Sequence, residues 1–252
     1  MIKCLGSGSK GNGWVLDFDG EILILDCGIP VKDALIGIVF EIERVAGCAV
    51  THFHGDHAKY ISQYEGRGLT VFKPYENRDE PFQTAIIGRY KIKTFPLEHG
   101  VPCFGFLITT PTGERILYAT DTEYIRYRFK DIDHFIVEAN YSNDLLDDEL
   151  NDTVKRDHVL RGHMELQTTL RFLKENVSDR TWSVVLTHLS NDNADRSMFL
   201  TEAKKELLPL GVTMIGIAKK DLEIPTRPDL EKQKEREKEN VLEMFGSKRT
   251  EC

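Results

Sequence analysis

His52-Phe53-His54-Gly55-Asp56-His57 packs three imidazoles and a carboxylate into six residues. No routine demand of folding explains that density. The β-like run Cys48-Ala49-Val50-Thr51 precedes it, and a stretch that reads as a helix starting near Ala58 follows, so the cluster falls at a strand end. Alternate residues of an extended segment point the same way, so His52 and His54 can share one metal ion. The turn at Gly55 then re-aims Asp56 and His57 toward a second. Such a chain has to fold with the end of a strand open on a metal-lined rim.

The rest of the chain supplies a scaffold of that kind. Residues 2–5, 14–18 and 21–25 read as strands, the last two joined by the turn Asp19-Gly20. Further strands are expected at 48–51, 90–95, 103–109 and 115–119, with Pro111-Thr112-Gly113 as turn chemistry between the last two. Beyond Asp121 the pattern changes to a strand at 134–138, a polar helix at 145–160, and an amphipathic helix at 165–177 with Leu166, Leu170 and Leu173 on one stripe. A strand at 182–187, a helix marked by Phe199, Ala203 and Leu207, and a closing strand at 212–218 complete two β-rich halves with helices packed outside. Residues 1–225 are expected to form the folded domain. Residues 226–252, with the mixed-charge run EKQKEREKEN, form a solvated helix or tail whose Val241, Leu242, Met244 and Phe245 could dock on the body or on a second subunit of a homodimer.

Composition removes several classes. A formal net charge of −8 argues against the broad basic surface that holds duplex DNA by neutralising many phosphates. Five scattered cysteines without a Cys-x-x-Cys pair fit reduced thiols. With no signal-like or membrane-spanning stretch, no membrane partner and a cytoplasmic location are expected. Gly6-Ser7-Gly8-Ser9-Lys10-Gly11 matches Gly-x-Gly-x-x-Gly, yet it leads into the strand-like Trp14-Val15-Leu16-Asp17-Phe18, where a dinucleotide fingerprint must open a helix. A tight hairpin loop lining the metal rim is the better reading. His134 and His158 read as structural or exposed.

The motif at 52–57 resembles the His-x-His-x-Asp-His signature of the metallo-β-lactamase superfamily. The family's other motifs follow in order. The resemblance covers roughly residues 1–218 and implies an αββα four-layer sandwich, two β-sheets flanked by helices. It implies Asp26, in Leu25-Asp26-Cys27-Gly28, as a carboxylate that braces the histidine loop without binding metal. It implies His99, in Leu97-Glu98-His99-Gly100, as the third histidine of a set with His52 and His54. Asp121, in Ala119-Thr120-Asp121-Thr122, matches the bridging carboxylate, and His188, in Leu186-Thr187-His188, matches the last ligand of the second ion.

The implied cofactors are two divalent metal ions, Zn²⁺ or Mn²⁺, with Fe²⁺ also suited to a thiolate-free donor set. Two such ions about 3.5–4 Å apart can hold a bridging hydroxide and stabilise an in-line displacement, with Asp56 orienting the nucleophile. Within the superfamily, Leu5-Gly6-Ser7-Gly8-Ser9-Lys10-Gly11-Asn12, Glu138-Ala139-Asn140, Gly162-His163 and His188-Leu189-Ser190-Asn191 resemble the YycJ (WalJ) group of nuclease-like proteins. That likeness implies DNA 5′-exonuclease activity, with His163 as phosphate contact or general acid. The chain departs from the group in reading Gly162-His163-Met164-Glu165 where Gly-His-Leu-Ser is usual. A phosphodiesterase acting on small cyclic nucleotides, like the anti-Pycsar enzymes of phage, is the alternative, ahead of a thioesterase or a non-catalytic binding module. Either phosphodiester substrate, a DNA end or a cyclic nucleotide, could meet Arg126, Arg128 and Lys130, or Arg161.

Overall fold

The computed structural model describes residues 1–146 and 162–228. Strands β1 (Ile2–Gly6), β2 (Gly13–Phe18) and β3 (Glu21–Leu25) form an antiparallel meander. Its second turn is tight because Asp19 and Gly20 both adopt positive φ, 50° and 77°, the twist that two-residue hairpins require. Helix α1 (Val31–Gly37) then crosses to β4 (Val45–Ala49), parallel to β3. Short helices α2 (Gly55–Ala58) and α3 (Ile61–Glu65) lead to β5 (Val71–Phe72), parallel to β4. With β13 (Glu223–Ile224) on β1, the first sheet runs β13-β1-β2-β3-β4-β5.

The second sheet has seven strands among the described residues. Its antiparallel part is β6 (Thr84–Ile87), β7 (Tyr90–Leu97), β8 (Cys103–Thr109) and β9 (Arg115–Ala119). Its parallel part continues from β9 through β10 (His134–Glu138), β11 (Ser183–Thr187) and β12 (Met214–Ile217). Strands buried on both faces must be apolar on both, and these are. Tyr118, Ile136 and Val185 join Leu16, Ile24 and Phe106 between the two sheets. Leu117, Phe135, Val137, Val184 and Leu186 face the opposite way, onto α4 (Leu166–Asn176) and α5 (Arg196–Leu207). Leu166, Leu170 and Leu173 are at most 1% exposed, so truncating Leu170 to alanine should cost about 2–5 kcal/mol. On the outer side of the first sheet, Val31, Ala34 and Leu35 of α1 join the same core as β1. The result is two mixed sheets between helical layers, the expected αββα sandwich.

Where the structure departs from expectation, the reasons are local. The helix expected near Ala58 begins at Gly55 and is interrupted before Ile61. It starts early because His54 supplies an extended N-cap and Asp56 lies in the first turn, where a carboxylate complements the helix dipole. Strand β4 begins and ends earlier than 48–51, because the chain must leave the sheet at Val50 to form the histidine loop. Strands β5 and β13, two residues each, are too short to display an alternation, and α1 carries only three buried apolar positions. Of the helix expected at 145–160, Leu145 lies in a single 3₁₀ turn and residues 147–160 fall outside the described ones. Just beyond residue 225, Arg227 donates through its main chain to Glu114 (2.8 Å) and through its guanidinium to Asp133 (3.0 Å). The charged run at 231–240 and the apolar residues Val241, Leu242, Met244 and Phe245 lie outside the described residues, as do His158 and Arg161. No helix among the described residues is long and apolar enough to cross a membrane.

Candidate metal centre

Strand ends deliver every residue of the centre. Asp26 follows β3, the 52–57 loop follows β4, His99 follows β7, Asp121 follows β9, Glu138 ends β10 and His188 follows β11. Asp26, Asp121 and His188 share a left-handed backbone, with φ of 58°, 55° and 56°. Side-chain-bearing residues rarely adopt it, and outliers of this kind gather at functional sites. Below them the Gly-rich segment Gly6–Gly13 is a β1–β2 hairpin loop, not a helix entry. Its Asn12 main chain donates to Asp56 O (2.7 Å), and a Cβ on Gly28 would meet that same carbonyl at 1.7 Å. Glycine at 28 is what lets the hairpin and the histidine loop lie in contact.

Two donor sets meet on this rim. In the first, one nitrogen from each of His52, His54 and His99 lies within 4.8 Å of the others, and His54 Nδ1 and His99 Nε2 are 3.2 Å apart. Two nitrogens at about 2.0–2.1 Å from one tetrahedral Zn²⁺ sit about 3.3 Å apart. His99 donates through Nδ1 to Gly162 O (3.0 Å), which fixes its tautomer with the Nε2 lone pair toward the set. His52 Nε2 is fully buried with no hydrogen-bond partner, a costly arrangement unless a cation takes the lone pair. Burial, followed by the positive neighbour His57, pushes the His52 imidazole down to about 2, and burial lowers His99 as well. Neutral imidazole is the ligating form.

The second set joins Asp56, His57, Asp121 and His188, again within 4.8 Å. His57 Nε2 lies 3.0 Å from Asp121 Oδ2 and 3.4 Å from Asp56 Oδ2. His188 Nε2 is 3.5 Å from Asp56 and 3.6 Å from Asp121, buried and without a hydrogen bond. Burial opposes charge on all four, and mutual pairing outweighs it. Asp121 with Asp26 raises His57 well above an ordinary imidazole, and Asp121 with Asp56 raises His188 to about 10. The two carboxylates are correspondingly lowered. These residues fit divalent cations by donor type, spacing and orphaned lone pairs.

Behind the donors lies a layer of buried acceptors. Asp26 accepts from His57 Nδ1 (2.8 Å), Tyr118 OH (2.6 Å), Thr51 N (2.9 Å) and Thr51 Oγ1 (3.0 Å). Glu138, quoted from the sequence only as part of a segment, holds His188 Nδ1 at 3.0 Å and His163 Nδ1 at 2.7 Å while accepting from Thr122 N (2.8 Å). Beyond that segment, its signal in the sequence was a carboxylate closing the apolar run Phe135-Ile136-Val137. His163 comes to the rim between Asp121 and His99, 4.0 Å from an Asp121 oxygen; burial opposes its charge, and Glu138 raises it. Asn12 donates toward His57 Nε2 (2.8 Å) and Asp56 Oδ2 (3.2 Å), and Ser7 Oγ accepts from His188 N (2.8 Å). Neither carried a role in the sequence. His134 lies elsewhere, bonded to Ser183 Oγ and Glu114.

With sandwich and site in view, the chain can be set beside known proteins. It aligns with the metallo-β-lactamase fold protein YhfI of Bacillus subtilis at a TM-score of 0.67 and 20% identity, covering 88% of this chain and 97% of the other. The chain has the metallo-β-lactamase fold. No protein-family model matches the sequence. Among curated proteins, this metallo-β-lactamase-fold chain is 22% identical over 226 residues to the exodeoxyribonuclease WalJ of Streptococcus pneumoniae, spanning 75% of this chain and 81% of that one. It is 24% identical over 220 residues to the exodeoxyribonuclease YycJ of Bacillus anthracis, spanning 76% and 83%. Both relatives are nucleases, in keeping with the YycJ-like segments of the sequence.

Proposed function

We propose that the protein is a phosphodiesterase that works with two divalent cations, Zn²⁺ or Mn²⁺, and removes nucleotides from a DNA 5′ end. The observation that carries this reading is the adjacency of an all-imidazole set and a carboxylate-bearing set, whose His52 and His57 rings are 4.4 Å apart by centroid. His52, His54 and His99 would hold one ion, Asp56, His57 and His188 the other, and Asp121 would serve both. Bound there, the two ions supply Lewis acidity toward phosphoryl oxygens and acidify water to near neutral pH.

The chain's own residues account for orientation and proton traffic. Asp56 turns Oδ2 to His57, His188 and Asn12, so Oδ1 is the oxygen that would orient an attacking water. His163, held through Nδ1 by Glu138 and raised by that carboxylate, is the group placed to hand a proton to the leaving oxygen. DNA as substrate rests on the two exodeoxyribonuclease relatives. The net charge of −8 favours a second reading, hydrolysis of a small cyclic nucleotide. An assay with Mn²⁺ or Zn²⁺, offering end-labelled single-stranded and duplex DNA beside cyclic mononucleotides, with His54→Ala as control, tests both. Mononucleotides released stepwise from the 5′ end are expected; ring opening with intact DNA would replace this reading by the second.

A further inference from the structure

The segment from Thr122 to Lys130 leaves the metal centre as a strip fixed at both ends, along which exposed and half-buried residues alternate from Tyr124 onward. Thr122 N donates to Glu138 (2.8 Å) and Thr122 Oγ1 to Tyr124 O (2.9 Å) at the start. Phe129 N donates to Asn176 Oδ1 (2.6 Å), and Arg115 to Lys130 O (2.6 Å), at the far end. Ile125, Tyr127 and Phe129 pack inward on the outer core, so Tyr124, Arg126, Arg128 and Lys130 all face solvent. Alternate residues of extended chain are about 6.6 Å apart. One aromatic ring and three cations therefore follow one another on the exposed side, beginning three residues after Asp121, with the Arg126 guanidinium 5.8 Å from the Tyr124 ring centroid and donating to the Tyr124 hydroxyl (3.3 Å), so that a base would stack on the other face of that ring. Phe53 is 46% exposed although it stands between His52 and His54 in the chain, its ring 5.6 Å from His54 and 6.2 Å from Tyr75; Tyr124 is 41% exposed.

Taking the phosphodiesterase reading as its basis, we propose that this strip is a track for single-stranded DNA, with bases stacked on Phe53 and Tyr124 and backbone phosphates on Arg126, Arg128 and Lys130. Exposed aromatic faces accept any unpaired base and reject a base enclosed in a duplex. The cations are few, and Arg126 and Arg128 are paired with Glu98 and Glu175 on the open surface. Such pairs are weak and exchange readily for phosphate. A grip of this kind on an acidic protein depends on stacking more than on charge, and it selects a strand over both a duplex and a lone nucleotide.

The test is fluorescence anisotropy of the metal-loaded protein with a phosphorothioate-linked 12-mer single strand across a salt series, with cleavage of the natural 12-mer measured in parallel. Affinity should fall with salt at a log–log slope of about −2, from three contacts at about −0.7 each. Arg126→Ala with Arg128→Ala should remove about two thirds of that slope. Lys204→Ala with Lys205→Ala, the same charge change on α5, should leave it intact. Phe53→Ala and Tyr124→Ala should each weaken binding about tenfold or more without changing the slope, and Phe53→Trp should restore it. A duplex bound as tightly as the strand, or affinities indifferent to both aromatic substitutions, would overturn the track. Binding that follows this pattern without cleavage would overturn the phosphodiesterase reading and leave the track standing.

Discussion

The two donor sets lie side by side and are built on opposite electrostatic plans. His52 and His99 are kept neutral by burial, in a set that contains no carboxylate. Asp56, His57, Asp121 and His188 form a buried lattice of opposite charges, held by Asp26 on one side and Glu138 on the other. The imidazole set offers lone pairs to whatever cation arrives, whereas the carboxylates of the mixed set raise the proton affinity of its imidazoles. Ions should therefore differ between the sets in affinity and in pH dependence, with the mixed set releasing protons as it loads.

The largest effect should come from the residue proposed to serve both. Asp121→Ala should lower phosphodiester cleavage by about a thousandfold, equivalent to about 4 kcal/mol, and remove at least one metal equivalent by mass spectrometry. Full activity with full metal content would show that Asp121 is no ligand. Glu138→Gln should reduce metal affinity about 10–100-fold. Calorimetric titration should confine that loss to the proton-releasing phase and leave the imidazole set unchanged. Equal losses in both phases would abolish the distinction between the sets.

The pH dependence of the chelated protein sharpens the same contrast. His188 is raised to about 10 by Asp121, Asp56 and Glu138 against the opposition of burial. Its contribution to stability is complete below the ordinary imidazole range near 6.5 and is lost as pH climbs toward 10. The melting temperature of chelated protein should fall across that window, and His188→Gln should flatten the fall. Saturating metal should remove it from both proteins. Tyr118→Phe, which takes the 2.6 Å donor from Asp26, should cost about 1.5–3 kcal/mol of stability and have the smallest effect of the three on cleavage and metal binding.

Legibility in the sequence followed the same divide. The imidazole set lies within one loop and one strand-end histidine, so spacing and order pointed to it, and the αββα sandwich followed from the same signature and the alternating strands. The supports of the mixed set are scattered along the chain at Ser7, Asn12, Tyr118 and Glu138; three of them stood out only as members of the YycJ-like segments, with no role attached, and Tyr118 not at all. A buried glutamate that orients two histidines from separate segments is a product of the parallel register of β10 and β11. No local pattern encodes that register. The track beside the centre was visible as three basic residues, but its alternation with Ile125, Tyr127 and Phe129 acquires meaning only once the outer core is in place.

The most direct test is to count ions and cleavage in one titration, adding Mn²⁺ or Zn²⁺ to chelated protein and following bound metal and release of nucleotides from end-labelled single-stranded DNA. Two equivalents bound, with cleavage appearing only as the second loads and absent throughout in Asp121→Ala, is the predicted result. Full cleavage at one equivalent, or two equivalents bound with no phosphodiester hydrolysed, would contradict the account.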